Sequence, residues 1–333
     1  GARLLVDEEN KQPREQRYVR CAETYTLTAK TEFCLVICMT TSMALRLLGA
    51  KRISIDTSFK CLHGWQEFEI EAWDSEHMQC KSFMQISVSS FTTSQSAQAH
   101  LILFQRIFQI AEDDTGIPVS FHHIHGTGYE SVIADGHMGQ GLGNVLFILL
   151  ALAMLIVEHS GPGMLCLCDL NPYDHLRRFY RVCITNFKCN VLALYTYVSS
   201  EVYSAMLSLA SSEPHPDIEK TYAIIHGGGR KARAWLKDKL VTNKFVLAAI
   251  YRPASLIPKV IWRACPSTTN GNEQAHWSAN LDGVNLTLLG GIMRGRNFDE
   301  RAAQGMEVHS LLGINTRDQD STHIRRASRS IIR

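Results

Sequence analysis

The 333-residue chain lacks a stretch that reads as a secretory leader. Gly1-Ala2-Arg3-Leu4-Leu5-Val6 runs straight into Asp7-Glu8-Glu9, too short and too acidic for the apolar segment of a signal. Nothing repeats at a fixed period, which excludes solenoid and propeller arrays. A strong charge of one sign is also missing: 34 Lys+Arg against 32 Asp+Glu leave a net charge of +2. That balance neither supports nor excludes nucleic acid, because a basic patch can sit on a neutral protein. The ten cysteines form no compact framework of even spacing, so reduced thiols in a cytosolic or nuclear setting are expected rather than a disulfide scaffold. Long hydrophobic runs are scarce. Val145–Val157 is unbroken, but as a helix it spans only about 20 Å, short of the roughly 30 Å hydrocarbon core of a bilayer. A buried core helix is expected there, and no membrane partner.

What is present is enough apolar material, 45% of residues, for one large domain or two smaller ones. Phe33–Met39 reads as a strand, Thr41–Leu48 as a short helix ended by Gly49, and Arg52–Asp56 as the next strand. Trp65–Trp73 alternates apolar and polar residues almost without fault, the pattern of a half-buried strand. Phe83–Val88 is a weaker strand. Leu101, Phe104, Ile107, Phe108 and Ala111 recur at helical spacing, and Gly116-Ile117-Pro118 stops that helix. Val119–Ile124 and Ser131–Ala134 read as strands. From Pro172 to about residue 250 the pattern is mostly helical. Further helices are expected over 272–280 and 286–304, followed by a basic tail.

Three acids stand out from this background. Asp56 closes the strand pattern Arg52-Ile53-Ser54-Ile55. Asp135 ends Ser131-Val132-Ile133-Ala134 and opens a Gly-rich stretch. Glu273 lies in Asn270-Gly271-Asn272-Glu273-Gln274-Ala275-His276, which reads as a helix start. Two strand-end aspartates and a helix-borne glutamate suit a pair of Mg²⁺ or Mn²⁺ ions, because such hard cations prefer oxygen ligands and two of them can serve phosphoryl transfer. The competing explanation is that both aspartates are ordinary strand-end residues and that Glu273 helps cap a helix. The order of elements suits an α/β fold, a ribonuclease H-like mixed-sheet core with a helical insertion before the last catalytic helix. Its expected divisions are an N-terminal remnant at 1–30, the first part of the core at 31–165, the insertion at 166–262, the C-terminal part of the core at 263–312, and a basic tail at 313–333.

Ile55-Asp56-Thr57-Ser58-Phe59-Lys60, the Asp135-Gly136-His137 turn and Asn272-Glu273-Gln274-Ala275-His276 resemble the catalytic blocks of Mutator-like DDE transposases. The stretch Asn285–Gly295 is similar to fungal copies of that family. The resemblance implies DNA strand cleavage and joining, with Asp56, Asp135 and Glu273 holding two metal ions. It also implies a nuclear setting, with transposon ends, target DNA and a second copy of the chain as partners. His137 and His276 would contact the scissile phosphate or the water beside it. The sequence departs from the family in three places. Cys183-Ile184-Thr185-Asn186 has Asn where a Cys-x-x-His is common, the stretches 80–90 and 143–168 look foreign, and no N-terminal zinc module is found. These departures motivate an alternative: a catalytically inactive, transposon-derived protein that binds DNA or a partner.

Basic residues supply the remaining candidates. Arg177, Arg178 and Arg181 fall along one expected helix, and Arg230, Lys231 and Arg233 along another around Trp235. Both could line a DNA groove through phosphate contacts, or be ordinary solvated faces. His123 and His125 would share one face of a strand with His122 opposite, but no matching Cys pair supports zinc. Cys166-x-Cys168 and Cys34-x₃-Cys38 lack zinc-knuckle spacing. Gly136–Gly143 does not follow the dinucleotide-binding order.

Overall fold

The structure is a computed structural model. It describes residues 2–28, 31–58, 62–72, 85–94, 96–134, 170, 172–242, 245–268 and 283–313. It is a mixed α/β fold built on one seven-stranded sheet of order β1-β2-β5-β4-β3-β6-β7. The strands are β1 Val19–Thr28, β2 Thr31–Cys38, β3 Arg52–Ser58, β4 Gln66–Ala72, β5 Gln85–Thr92, β6 Ser131–Ala134 and β7 Tyr180–Val182. From β1 through β3 in that order every neighbouring pair is antiparallel, whereas β6 runs parallel to β3 and β7 parallel to β6.

The helices are α1 Ala2–Glu9, α2 Thr41–Gly49, α3 Ala97–Thr115, a single turn α4 His122–His125, α5 Pro172–Phe179, α6 Ile184–Leu192, α7 Ser200–Ser208, α8 Ile218–Gly227, α9 Arg230–Lys237, α10 Phe245–Ile250, α11 Lys259–Ala264 and α12 Leu288–Leu312. Thr40 and Ser96 cap α2 and α3 by accepting from the backbone N–H of Met43 and Ala99. Gly116, at φ 70°, ends α3 in the left-handed conformation. Among the described residues no helix is long and apolar enough to cross a membrane. The run 145–157 lies outside the described residues.

The two sides of the sheet differ. On one, Ile53, Ile55, Phe68, Ile70, Val132 and Ala134 are buried. Helix α3 covers that side: Phe104 meets the Phe68 ring edge-on at 5.5 Å, and Phe108 lies 6.1 Å from Tyr129. Each such aromatic side chain stabilises by about 2–3 kcal/mol through burial. The Tyr129 hydroxyl donates to the Leu47 carbonyl at 2.8 Å, tying the approach to β6 onto α2. At the far edge of the sheet, Asp114 near the end of α3 accepts from both guanidinium nitrogens of Arg20 on β1 at 2.5 and 2.6 Å.

Several expectations need correcting. The first 30 residues are not a loose remnant: β1 and β2 form a long antiparallel ladder that extends the sheet. Val119–Ile124 is not a strand. Phe121 makes one bridge to Tyr129, and His122–His125 winds into a helical turn, so His123 and His125 do not share a strand face. The helical region after Pro172 contains the short strand β7. Helix α12 runs on to Leu312, past the expected end at 304.

The turn that sets up β6 depends on Gly128. Its φ is 84°, and a Cβ there would lie 2.1 Å from the backbone oxygen of Ser120. Gly126 also has positive φ, at 74°, but its Cβ position is open. Gly126→Ala is therefore expected to cost about 1 kcal/mol from φ alone, and Gly128→Ala clearly more, about 3 kcal/mol, because backbone must move. Urea unfolding of the two variants checks the ranking; equal losses would sink it.

Candidate functional site, the acidic side of the sheet

The other side of the sheet is polar and still buried. Glu67, Glu69 and Glu71 on β4 are 2%, 1% and 0% exposed. The alternation of this strand reads as one wet face and one dry face, but both faces are covered. Cross-strand register sets Asp56 opposite Glu69 and Ser54 opposite Glu71. Asp56, Ser54, Glu67, Glu69 and Glu71 thus share one side of the β3–β4 pair.

Helix α12 closes over this side. Arg294 Nη2 donates to both carboxylate oxygens of Glu67 at 2.7 and 2.8 Å, and both side chains are almost fully buried. Arg294 Nη1 also donates to the Gly283 carbonyl at 3.3 Å. The helix can approach this closely because of Gly291, where a Cβ would sit 2.2 Å from Leu62 Cδ2. One helical turn beyond, Asp299 accepts from the Tyr18 hydroxyl at 2.6 Å. Burial pushes the Asp299 carboxyl up to about 7, with the negative charge of Glu67 adding to the rise and the Tyr18 hydrogen bond opposing it. Arg296 pairs with Glu9, whose other oxygen accepts from the Tyr18 backbone N–H at 2.8 Å.

The β6–β7 flank of the same side is covered by α11 and the segment after it. Arg181 on β7 donates from Nη1 to the carbonyls of Trp262 and Cys265 at 3.0 and 3.3 Å, and its guanidinium lies 4.0 Å from the centre of the Trp262 ring. Ser131 Oγ and Cys265 Sγ are 2.8 Å apart. The segment then enters a narrow crevice in which Thr268 and Pro266 meet Arg52, Ser54, Ser131 and Ile133.

Of the acids expected to share a site, Asp56 lies on the interior strand β3, half-buried, on this polar side. Asp135 and Glu273, with His137 and His276, lie outside the described residues. Ala134, the residue before Asp135, is in register with Ile55, the residue before Asp56, on the parallel neighbouring strand. Among the described residues no group of three or more His, Cys, Asp or Glu is placed to hold a metal.

The basic candidates separate. Arg181 is 5% exposed and anchors the segment over β7, so it cannot be part of a DNA-facing surface. Arg177 and Arg178 are half-buried, with Arg178 donating to the Asp174 carbonyl at 2.7 Å. Arg230, Lys231 and Arg233 are exposed on α9, whose inner face buries Ala232, Trp235 and Leu236. Asn186 is buried at the first turn of α6, and its side-chain nitrogen has no hydrogen-bond partner among the described residues.

The three glutamates of β4 were missed by sequence reasoning, which took them for a solvated face. The available signal was that this face carries only acids, while Arg294 and the glycines of α12 wait far along the chain. Comparison with family models, curated proteins and solved structures finds no match to this chain.

One polar pair lies off this site. His123 Nε2 and His175 Nδ1 are 3.0 Å apart, joining α4 to α5, and His123 stacks on Phe179 at 5.5 Å. Burial, with the neighbouring His175 and Arg178 adding to it, lowers His123 to about 3. The folded protein therefore holds this imidazole neutral, while the unfolded chain takes up a proton near pH 6.5. Its stability contribution is complete above about pH 6.5 and is lost as pH falls toward 3. From pH 7 to 4.5 the wild type is expected to lose on the order of 2 kcal/mol more stability than His123→Phe. Urea midpoints at the two pH values measure this, and parallel losses would contradict it.

Proposed function

We propose that the chain is a DDE-type, transposase-like nucleotidyl-transfer protein with a ribonuclease H-like core. One convergence carries the reading. Ala134 leads the chain into Asp135 beside the strand that bears Asp56. The segment that contains Glu273 leaves the described structure at Thr268, in the crevice lined by Ser54, and returns at Gly283, whose carbonyl is held by Arg294. Both ends of that segment thus touch residues on the side of the sheet where Asp56 sits, and β6 ends beside β3. The strand order supports the same reading. Successive antiparallel strands β3, β4 and β5, followed by β6 and β7 added in parallel on the far side of β3, are compatible with such a core. The order reverses between β3 and β6, and open α/β sheets bind ligands outside the carboxyl ends of strands at such a point.

The donor chemistry fits hard divalent cations. Asp56 lies on a side of the sheet lined with the buried carboxylates Glu67, Glu69 and Glu71, and Arg294 pairs directly with Glu67. Asp56, Asp135 and Glu273 would hold the ions. When bound, two Mg²⁺ or Mn²⁺ ions would supply charge neutralisation and Lewis acidity at the phosphoryl group being transferred. Around them the chain supplies rigidity: β3 is buried between β4 and β6, and α12 is locked to β4 through the Arg294–Glu67 pair. Asp56 is thereby held on a fixed strand rather than a loop, which favours a precise donor position.

The test is nicking of duplex DNA in Mg²⁺ or Mn²⁺ by the wild type, Asp56→Asn and Asp135→Asn. Nicking by the wild type alone supports the reading; equal nicking by all three removes it. The buried Asn186, in the position of the family's histidine, favours a second reading in which the chain binds DNA without cutting it. Binding that persists with no metal-dependent nicking by the wild type would decide for that reading.

A further inference from the structure

Away from the sheet, the helical region contains a groove of about 540 Å³, bordered by Tyr197, Ser199, Glu201, Val202, Ile224 and Gly228. The turn that contributes Tyr197 to its lining carries exposed apolar side chains. Tyr195 and Tyr197 are 55% and 58% exposed, and Leu192 beside them is 57% exposed. The Tyr195 ring packs edge-on against Tyr203 at 5.0 Å, which restricts its motion. The ammonium of Lys231 lies 3.0 Å from the centre of the Tyr197 ring. Lys231 belongs to α9, whose eight residues include Arg230, Lys231, Arg233 and Lys237 and no acid. All four basic residues are exposed, while Trp235 on the inner face packs 6.1 Å from Phe187 of α6 and fixes the helix in place.

Exposed aromatic rings beside an all-basic helix match one class of partner. A nucleic-acid strand with unpaired bases offers flat faces that stack on tyrosine and a phosphate chain that runs along the cations. A duplex hides its base faces and would use only the charge. Glu201, in the lining of the groove, repels phosphate, which favours a backbone path along α9. We infer that Tyr195, Tyr197 and the outer face of α9 form a stacking site for single-stranded nucleic acid. The site shares no residue with the acidic side of the sheet and does not rest on the proposed strand cleavage.

The experiment is fluorescence anisotropy of the full chain with a labelled single-stranded 20-mer and with a duplex of the same length, at two salt concentrations. Wild type is expected to bind the single strand at least tenfold more tightly than the duplex. Tyr197→Ala and Tyr195→Ala should each weaken single-strand binding about 5–100-fold, the range for losing one stacked base. Lys231→Gln should weaken it and reduce its salt dependence. Circular dichroism and urea unfolding confirm that the variants fold. Equal affinity for strand and duplex, unaltered binding by both tyrosine variants, or complete competition by an equivalent amount of inorganic polyphosphate would each overturn the inference. The last two results would leave a charge-only or protein-docking surface in its place.

Discussion

On the proposed two-metal reading, replacing Asp56 by Asn is expected to reduce DNA nicking by on the order of 10³-fold, about 4 kcal/mol of barrier, while leaving the fold intact. The size follows from what the residue offers. An amide carries no charge, so the variant keeps one oxygen donor but forfeits the anion a divalent cation requires. The fold is expected to survive because Asn is close in shape and Asp56 sits at a half-buried position of β3, not in the fully enclosed part of the sheet. Asp135→Asn should show a similar loss, and the double variant little more than either single one, since residues acting as a unit are not additive. Steady-state nicking assays with Mn²⁺ titration separate weakened ion binding from slowed chemistry. An Asp56→Asn protein that nicks at the wild-type rate would remove Asp56 from any catalytic role.

The second large effect concerns stability. Arg294→Met leaves the buried carboxylate of Glu67 without its bidentate partner, and a loss of about 3–5 kcal/mol is expected. Glu67→Leu should cost a similar amount by stranding the guanidinium. The double variant Glu67→Leu/Arg294→Met should recover most of either loss, because a matched apolar pair avoids both desolvation penalties. Recovery will stop short of complete, since Arg294 also donates to the Gly283 carbonyl. Urea unfolding of the four proteins gives the coupling directly. Strictly additive losses would mean that the pair is not what joins α12 to β4. The same cycle bears on function: Gly283 closes the segment that contains Glu273, so the double variant should regain stability but not full nicking activity.

These two residues show how far the sequence could be read. The course of β3 was legible from the apolar pattern of Arg52–Asp56, but the strand runs past Asp56 to Ser58, so the acid lies inside it and not at its end. The course of β4 was legible from its alternation, and that of α3 from Leu101, Phe104, Ile107, Phe108 and Ala111 at helical spacing. Elements held mainly by distant partners were not. β1 carries a mixed pattern, Val19-Arg20-Cys21-Ala22-Glu23-Thr24, and is a strand because β2 supplies its ladder. β7 is only three residues long and exists through its register with β6. His122–His125 has a strand-like composition but closes into a turn because Gly126 and Gly128 accept positive φ.

The sequence alone determined the courses of β3, β4, α2 and α3, and that the chain could fill a substantial core. Local periodicity and glycine placement carry that information, since both act within a few residues. Only the tertiary structure decided that Glu67, Glu69 and Glu71 are enclosed, that Arg181 is an internal anchor, and that Lys231 meets Tyr197. An alternating strand presents the same letters whether its polar face meets water or a helix. What separates the two cases is a covering element encoded far away, such as Arg294, 227 residues from its partner Glu67.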